Sequence, residues 1–318
     1  MKITVLDAAT LGSDVNLQPF YDTGEVTLFQ TTPEETVAER IAESDVVCVN
    51  KIKLNESNLK GSSVRLICVA ATGYDNIDTD YCQKHGIALC NVPGYSTHAV
   101  AQLTVAMALS LVGHLGEYRD YVHSGAYSRS GVANALTPIW HELNGQIWGI
   151  VGYGNIGRQV AKIANAFGCK VLACRRTQTA EKESDVEYVD IDTLCKRADI
   201  ISLHTPLTEQ TRGLISAERI AMMKPSTFLI NTARGAVTDE AALTQAILEN
   251  RLGGIGVDVF SKEPFDTEHP YHKILDKDNV ILTPHTAWGA QETRNRVVVE
   301  MAQNIRSFYS GASRNRIV

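Results

Sequence analysis

The most constraining feature of the chain is a glycine-rich segment, GYGNIG, which starts at Gly152 directly after the apolar run IWGIV. A strand, a glycine turn and an amphipathic helix in this order are the context required of a dinucleotide-binding site. Gly152 permits the tight turn, Gly154 lets a pyrophosphate approach the backbone, and Gly157 allows close packing of helix and strand. Asn155 and Ile156 would open the helix, whose N terminus attracts the phosphate charge.

Short apolar stretches alternate with helical stretches on both sides of this segment. The first series runs from Ile3 to Ile87, and the second runs from Ile147 to Pro284. This alternation predicts parallel sheets that carry helices on both faces. With 318 residues, the chain exceeds the length at which a single core usually stops growing. The predicted fold class is α/β, with two doubly wound parallel-sheet domains.

Two longer helical patterns flank the second series. Thr97 to Gly125 carries apolar residues on all sides, which predicts either a core helix that spans a domain or a helix that also packs against a second subunit. Ala290 to Gly311 is predicted to be a helix that returns to the first domain.

Composition narrows the class of partner. A formal net charge of -6 gives no reason to expect a nucleic acid or a membrane. The seven cysteines are scattered, without the spacing of a metal site, and reduced thiols in a cytoplasmic protein are the simplest interpretation. We therefore expect the partner to be a small molecule. We expect the protein to carry neither a signal peptide nor a bound metal.

Three polar residues lie in short motifs: Arg234 in NTARG, Glu263 in DVFSKEP and His285 in PHTAW. An arginine can bind a carboxylate with two parallel hydrogen bonds. A protonated imidazole can stabilise a developing alkoxide and deliver its proton, and a neighbouring carboxylate favours that protonated form. These residues indicate hydride transfer to a 2-keto acid. The alternatives are a turn histidine, a helix-start carboxylate and a surface arginine.

The end of the second strand of this dinucleotide unit bears on cofactor choice. Arg175, Arg176 and Thr177 occupy the place where enzymes that use NAD usually carry an acidic residue. Guanidinium groups attract and hydrogen-bond a 2′-phosphate. NADP(H) is therefore favoured and NAD(H) is possible; the alternative is that the arginines form a solvated strand end.

Further motifs cover nearly the full length of the chain: ATGYDNID from Ala71, NVPGYSTHAVAQ from Asn91, HTPLTEQTRGLI from His204 and MMKPSTFLINTARG from Met222. With them, the chain resembles the D-isomer-specific 2-hydroxyacid dehydrogenase family, in its glycerate dehydrogenase and hydroxypyruvate/glyoxylate reductase branch. The resemblance implies a Rossmann NAD(P)-binding domain, residues 98–289, inserted into a discontinuous flavodoxin-like substrate domain, residues 1–97 and 290–318.

The resemblance also implies roles for individual residues. The backbone of Thr72 and Gly73 would bind the substrate carboxylate together with Arg234, and His285 would donate a proton with Glu263 as its partner. Trp288 is interpreted as either a pocket wall or a packing residue, and Asp258 as the residue that holds the nicotinamide carboxamide. The remaining positions implied to line the cofactor are Thr104, Thr205, Pro206, Thr232 and Ala233.

The leading hypothesis is an NADPH-dependent reduction of hydroxypyruvate or glyoxylate to the D-2-hydroxy acid by a homodimer. A D-lactate or formate dehydrogenase of the same fold is one alternative. A dinucleotide-sensing binding protein, similar to the corepressors of this family, is an alternative from another class.

Overall fold

The computed structural model describes residues 1–176 and 184–318. The chain forms two compact units, the first from Met1–Ser96 and Trp288–Val318, the second from Thr97–Ala287. The second unit thus begins one residue earlier and ends two residues earlier than the sequence predicts. The first unit is discontinuous, since both ends of the chain contribute to it.

Twelve strands lie within the described residues. They are β1 (Lys2–Val5), β2 (Glu25–Leu28), β3 (Val46–Val49), β4 (Leu66–Val69), β5 (Ala88–Cys90), β6 (Ile147–Val151), β7 (Lys170–Cys174), β8 (Val186–Tyr188), β9 (Ile200–Leu203), β10 (Phe228–Asn231), β11 (Gly254–Val257) and β12 (Val280–Leu282).

Helices follow most of these strands. The α-helices of the described residues are α1 (Gln18–Tyr21), α2 (Val37–Ile41), α3 (Glu56–Leu59), α4 (Thr79–His85), α5 (Thr97–Val112), α6 (Leu115–His123), α7 (Ala126–Ser130), α8 (Asn155–Ala166), α9 (Ile191–Arg197), α10 (Ala217–Met222), α11 (Glu240–Leu248) and α12 (Gln291–Tyr309). Shorter 3-10 helices span Ala8–Leu11, Glu34–Thr36, Gly235–Val237 and Pro270–Ile274.

The first unit contains a parallel sheet in the order β2-β1-β3-β4-β5. Every residue of β3 and β4 is buried, as expected for strands that are covered on both faces. One face packs against α12, where Val297, Val298 and Met301 join the core. The last helix therefore returns to the first unit, as predicted.

The second unit contains a parallel sheet in the order β12-β11-β10-β9-β6-β7-β8. Separate apolar clusters cover its two faces. The α/β class with two doubly wound parallel sheets is thus confirmed. The sequence did not predict β8, because a strand of three residues at a sheet edge is too short to show a pattern.

The predicted single helix from Thr97 to Gly125 is wrong. The structure has α5 and α6 instead, bent by 60° with respect to each other. The break lies at Gly113 and at His114, whose φ of 50° is a left-handed conformation that ends a helix. Among the described residues, no single helix is long and apolar enough to cross a bilayer, and only this bent pair, taken together, has that length and composition.

The strand order reverses between β6 and β9 in the second sheet. Ligands of open α/β sheets bind outside the carboxyl ends of the strands at such a reversal. Segments that follow β6, β9, β10, β11 and β12 all emerge at this edge, because the strands are parallel. The candidate site therefore lies along this edge.

Candidate active site

The glycine-rich turn between β6 and α8 is tightly packed on one side and open on the other. Gly152 has a φ of 93°, and a Cβ there would lie 2.7 Å from the carbonyl oxygen of His204. A Cβ on Gly157 would lie 2.3 Å from the carbonyl oxygen of Gly152. At Gly154, by contrast, a Cβ would meet no atom within 4 Å. The turn and the N terminus of α8, where Asn155 and Ile156 lie, therefore fit a diphosphate.

A partly buried histidine, His204, lies next to this turn. The hydroxyl of Ser202 accepts from Trp148 Nε1 at 3.0 Å and lies 3.0 Å from His204 Nε2. The other nitrogen of the His204 ring is Nδ1. This Nδ1 is buried and has no partner among the described residues.

The His204 ring supports the fit of a nucleotide. Burial lowers the pKa of His204 to about 3, so the ring stays neutral at ordinary pH. A buried polar atom without a partner is rare, and a hydrogen-bonding group on a bound molecule would satisfy it. Sequence reasoning assigned this residue no role in the site.

Residues predicted to line the cofactor follow β9 and β10. Thr205 and Pro206 directly follow His204, and Thr232 and Ala233 directly follow β10. Thr104 is fully buried in α5, and its hydroxyl donates to the carbonyl of Val100 at 2.8 Å and lies 2.9 Å from Thr232 Oγ1. We therefore interpret Thr104 as a support for Thr232 rather than as a direct ligand.

Arg234 lies in the turn after β10 and is partly exposed. Asn231 shapes this turn, because its side chain accepts from the Ala233 N–H at 3.0 Å and donates to the Arg234 carbonyl at 3.0 Å. The next residue, Gly235, packs so closely that a Cβ would lie 2.1 Å from the carbonyl carbon of Phe260. The turn that carries Arg234 therefore rests directly on the segment after β11.

The structure brings His285 and Glu263 together. His285 Nδ1 lies 2.7 Å from Glu263 Oε2, and Glu263 Oε1 accepts from the Phe260 N–H at 3.0 Å. Because an ionised carboxylate only accepts hydrogen bonds, Nδ1 carries a hydrogen and donates it to Glu263. The ring nitrogen that would exchange a proton with a substrate is therefore Nε2.

Asp258 holds the segment that carries His285. This fully buried carboxylate accepts from the Thr286 N–H at 2.8 Å, the Ala287 N–H at 2.9 Å and the Thr283 hydroxyl at 2.5 Å. Within this segment His285 adopts a left-handed backbone, with a φ of 52°. Sequence reasoning missed this positioning role, and the contact of Asp258 with a nicotinamide carboxamide remains a prediction.

The arginines after β7 lie near the glycine-rich turn. The guanidinium carbon of Arg175 lies 4.0 Å from the ring centroid of Tyr188 in β8. The same ring makes an edge contact with Tyr153 of the GYGNIG segment, with 5.7 Å between centroids. Arg176 is exposed, and Thr177 lies outside the described residues.

The other predicted substrate residues belong to the first unit. Thr72 and Gly73 follow β4, where the Thr72 hydroxyl donates to the Val92 carbonyl at 3.0 Å. Trp288 packs against the core of this unit and makes an edge contact with Tyr95, with 6.2 Å between ring centroids. The structure shows a packing contact of Trp288, and its role as a pocket wall stays a prediction.

Within the second unit, the carboxyl edge of one sheet thus carries a cation, a carboxylate–imidazole pair and a turn shaped for a diphosphate. Among residues 1–176 and 184–318, no group of three or more His, Cys, Asp or Glu side chains is arranged to hold a metal ion. Chemically, this arrangement can donate a proton from Nε2 of His285 and bind an anion at Arg234, beside a turn that fits a diphosphate.

Comparison with known proteins decides the family. Residues 105–287 match the family model described as D-isomer specific 2-hydroxyacid dehydrogenase, NAD binding domain. The chain belongs to this dehydrogenase family. A hydroxypyruvate reductase from Blautia hydrogenotrophica is 34% identical, and the match covers 99% of each chain. The predicted membership and the predicted class of oxidoreductase are confirmed.

Solved structures show the same fold with either nucleotide. A D-lactate dehydrogenase from Aquifex aeolicus, complexed with NAD and lactic acid, has a TM-score of 0.86 at 32% identity and matches 98% of this chain and 96% of its own. An acyclic imino acid reductase in complex with NADPH and D-Arg also has a TM-score of 0.86, at 29% identity over 100% of both chains. Structural similarity alone therefore does not select the cofactor.

Proposed function

We propose that this dehydrogenase reduces hydroxypyruvate or glyoxylate to the D-2-hydroxy acid. The observation that carries the proposal is the His285–Glu263 pair, joined at 2.7 Å on the sheet edge that also carries Arg234. Relatives named hydroxypyruvate reductase, glyoxylate reductase and glycerate dehydrogenase support the substrate class.

A bound reduced nicotinamide would supply the hydride, and the turn from Gly152 to Gly157 would hold its diphosphate. As negative charge develops on the carbonyl oxygen, a protonated His285 stabilises it and delivers the proton from Nε2. Glu263 keeps the ring oriented through Nδ1. Arg234 binds the substrate carboxylate, and the contribution of Thr72 and Gly73 from the first unit stays a prediction.

NADPH is proposed as the preferred cofactor. Arg175 lies directly after β7, where a 2′-phosphate of the adenosine ribose is read in this fold. The guanidinium carbon of Arg175 lies 4.0 Å from the centroid of the Tyr188 ring, a contact that restricts the side chain. A guanidinium held there could donate two parallel hydrogen bonds to a phosphate. Because the matching family model is described as NAD binding, NADH is retained as the second cofactor.

We also propose a homodimer that forms through the segment from α6 to Trp140. Large apolar side chains are exposed there, including Leu136 at 78% and Ile139 at 73%. A contiguous exposed apolar surface usually marks an interaction site. Sedimentation velocity should show a dimer at micromolar concentration, and a monomer there would overturn this assignment.

A cytoplasmic location is proposed on the cysteines. All seven are free thiols in the structure. Free thiols persist in a reducing compartment. Fractionation of the native host should recover the protein with cytoplasmic markers.

Kinetics with a panel of substrates tests the proposed reaction. Hydroxypyruvate, glyoxylate and pyruvate are each assayed with NADPH and with NADH, and kcat/KM is expected to be highest for hydroxypyruvate or glyoxylate with NADPH. A preference for pyruvate would replace the proposal with a D-lactate dehydrogenase, an activity favoured by the neighbour with bound lactic acid. Dinucleotide binding without turnover on any of these acids would instead indicate a dinucleotide-sensing protein.

A further inference from the structure

We propose that Glu240 is a positioning residue of this active site, which acts through Ser261 on the Glu263–His285 pair. The inference rests on the function proposed above for that pair. Glu240 is the first residue of α11, and only 8% of its surface is exposed. A carboxylate at such burial is costly unless hydrogen bonds satisfy it.

Both oxygens of Glu240 are directed at one residue of the segment after β11. Oε1 accepts from the Ser261 N–H at 2.9 Å, and Oε2 accepts from the Ser261 hydroxyl. Glu240 is not required to cap its own helix, because the side chain of Asp239 already accepts from the Ala242 N–H at 2.9 Å. The carboxylate therefore holds the segment around Ser261 rather than α11.

His269 orients the carboxylate from the other side. Its Nδ1 accepts from the Tyr271 N–H at 3.3 Å, so the ring hydrogen lies on Nε2, which faces Glu240 Oε2 at 3.1 Å. The ring is 7% exposed and packs among aromatic rings, with centroids 5.0 Å from Phe265 and 5.1 Å from Tyr271. Because this packing fixes the His269 ring, its hydrogen bond restrains the Glu240 side chain and keeps the carboxylate on Ser261.

In the sequence, Ser261 lies between Phe260 and Glu263, and two hydrogen bonds orient the Glu263 side chain. Phe260, directly before Ser261, donates its N–H to Glu263 Oε1 at 3.0 Å, and Glu263 Oε2 meets His285 Nδ1 at 2.7 Å. The peptide that joins Phe260 and Ser261 also packs against Gly235, where a Cβ would lie 2.2 Å from the Ser261 nitrogen. Two successive peptides, which share Phe260, thus connect the turn of Arg234 with the carboxylate that orients His285.

Glu240→Gln tests the inference because an amide has only one acceptor oxygen. The donors from Ser261 and His269 cannot all be satisfied, and the segment that carries Glu263 gains freedom. We expect kcat for keto-acid reduction to fall about 10-fold. We also expect the alkaline decline of the pH–kcat profile to move toward acid, while the Kd of NADPH stays within roughly twofold, about 0.4 kcal/mol.

A double-mutant cycle separates positioning from general damage. In a Glu263→Gln background, the additional Glu240→Gln change should produce little further loss and no further pH shift, since the residue it positions has lost its charge. An equal loss in both backgrounds, or an unchanged pH profile in Glu240→Gln alone, would overturn the inference.

Matched variants keep the test decisive if Glu240→Gln folds poorly. Ser261→Ala removes only the hydroxyl contact and should reproduce the pH shift at smaller size, whereas Ser261→Thr keeps a hydroxyl and should restore the wild-type profile. Glu249→Gln removes the same charge from an exposed position just beyond α11 and should leave kcat unchanged. A Ser261→Ala profile identical to wild type would also overturn the inference.

The outcome is distinct from failure of the proposed function. If His285→Ala retains wild-type kcat, the proposed acid–base pair is wrong. If His285→Ala is inactive but the Glu240 and Ser261 variants keep the wild-type pH profile, only the positioning inference fails.

Discussion

The two ends of the second sheet's carboxyl edge are built differently. At the reaction end, after β10 to β12, side chains cross from one segment to the next: Asp258 holds residues 283–287, and Glu240 holds Ser261. At the nucleotide end, after β6 and β7, the turn is fixed by the packing of Gly152 and Gly157, and Arg175 rests on an aromatic ring.

This difference predicts where single substitutions matter most. Hydrogen bonds to charged groups contribute on the order of 1.5–3 kcal/mol each, and the reaction end depends on several of them. The nucleotide end depends on backbone shape and carries one partly exposed cation, Arg175. Side-chain changes at the reaction end should therefore have the larger effects.

Replacement of His285 is the strongest test of this contrast. His285→Ala should lower kcat about 100-fold or more, because the lost interaction forms only as charge develops on the substrate oxygen. His285→Asn should show the same loss, although asparagine tolerates the left-handed backbone found there. Steady-state kinetics measures the loss, and fluorescence titration should show unchanged NADPH binding. Near-wild-type kcat in either variant would remove His285 from the mechanism.

Arg234→Lys should have the next largest effect. Lysine keeps the charge but not the planar fork, so kcat/KM for the keto acid should fall on the order of 10- to 100-fold, with a raised KM. Initial-rate measurements over a wide range of substrate concentration check this. Full activity in the lysine variant would show that Arg234 does not grip the carboxylate directly.

Glu263→Gln should lower kcat about 10-fold and change its pH dependence. A carboxylate favours the protonated imidazole, so the proton donor persists to higher pH when Glu263 is charged. Without that charge the donor is lost at lower pH, and the alkaline decline of reduction should move toward acid. A pH–kcat profile that coincides with wild type would contradict the pairing seen at 2.7 Å.

Arg175→Asp should have the smallest effect and should not change the rate of the chemical step. An exposed ion pair contributes up to about 1 kcal/mol, so the affinity ratio of NADPH to NADH should change by about 5-fold or somewhat more, in favour of NADH. Titration of both cofactors against both proteins measures the ratio, and kcat with saturating NADH should be retained. A wild-type preference for NADH would leave Arg175 as a solvated strand end.

Local patterns were enough to predict most of the fold and the candidate catalytic residues. Arg234 and His285 each follow an apolar strand, and parallel strands bring such positions to one edge. The hydrogen bonds that support these residues could not be predicted, because the two partners of each bond are far apart in sequence. Glu240 and Ser261 are 21 residues apart, Asp258 and Ala287 are 29 apart, and Trp148 and Ser202 are 54 apart. No spacing rule links such pairs before the strand order is known.

The left-handed backbone of His285 has a consequence for protein engineering. A residue with a β-carbon pays roughly 1–2 kcal/mol for this conformation, whereas glycine adopts it freely. The residue that would relax the backbone at position 285 is therefore not the residue proposed to deliver a proton. Selection for heat resistance alone should therefore favour glycine at this position, at the expense of the proposed proton donor. A stability screen of this enzyme therefore needs an activity measurement as well, because stability and activity are expected to favour different residues at position 285.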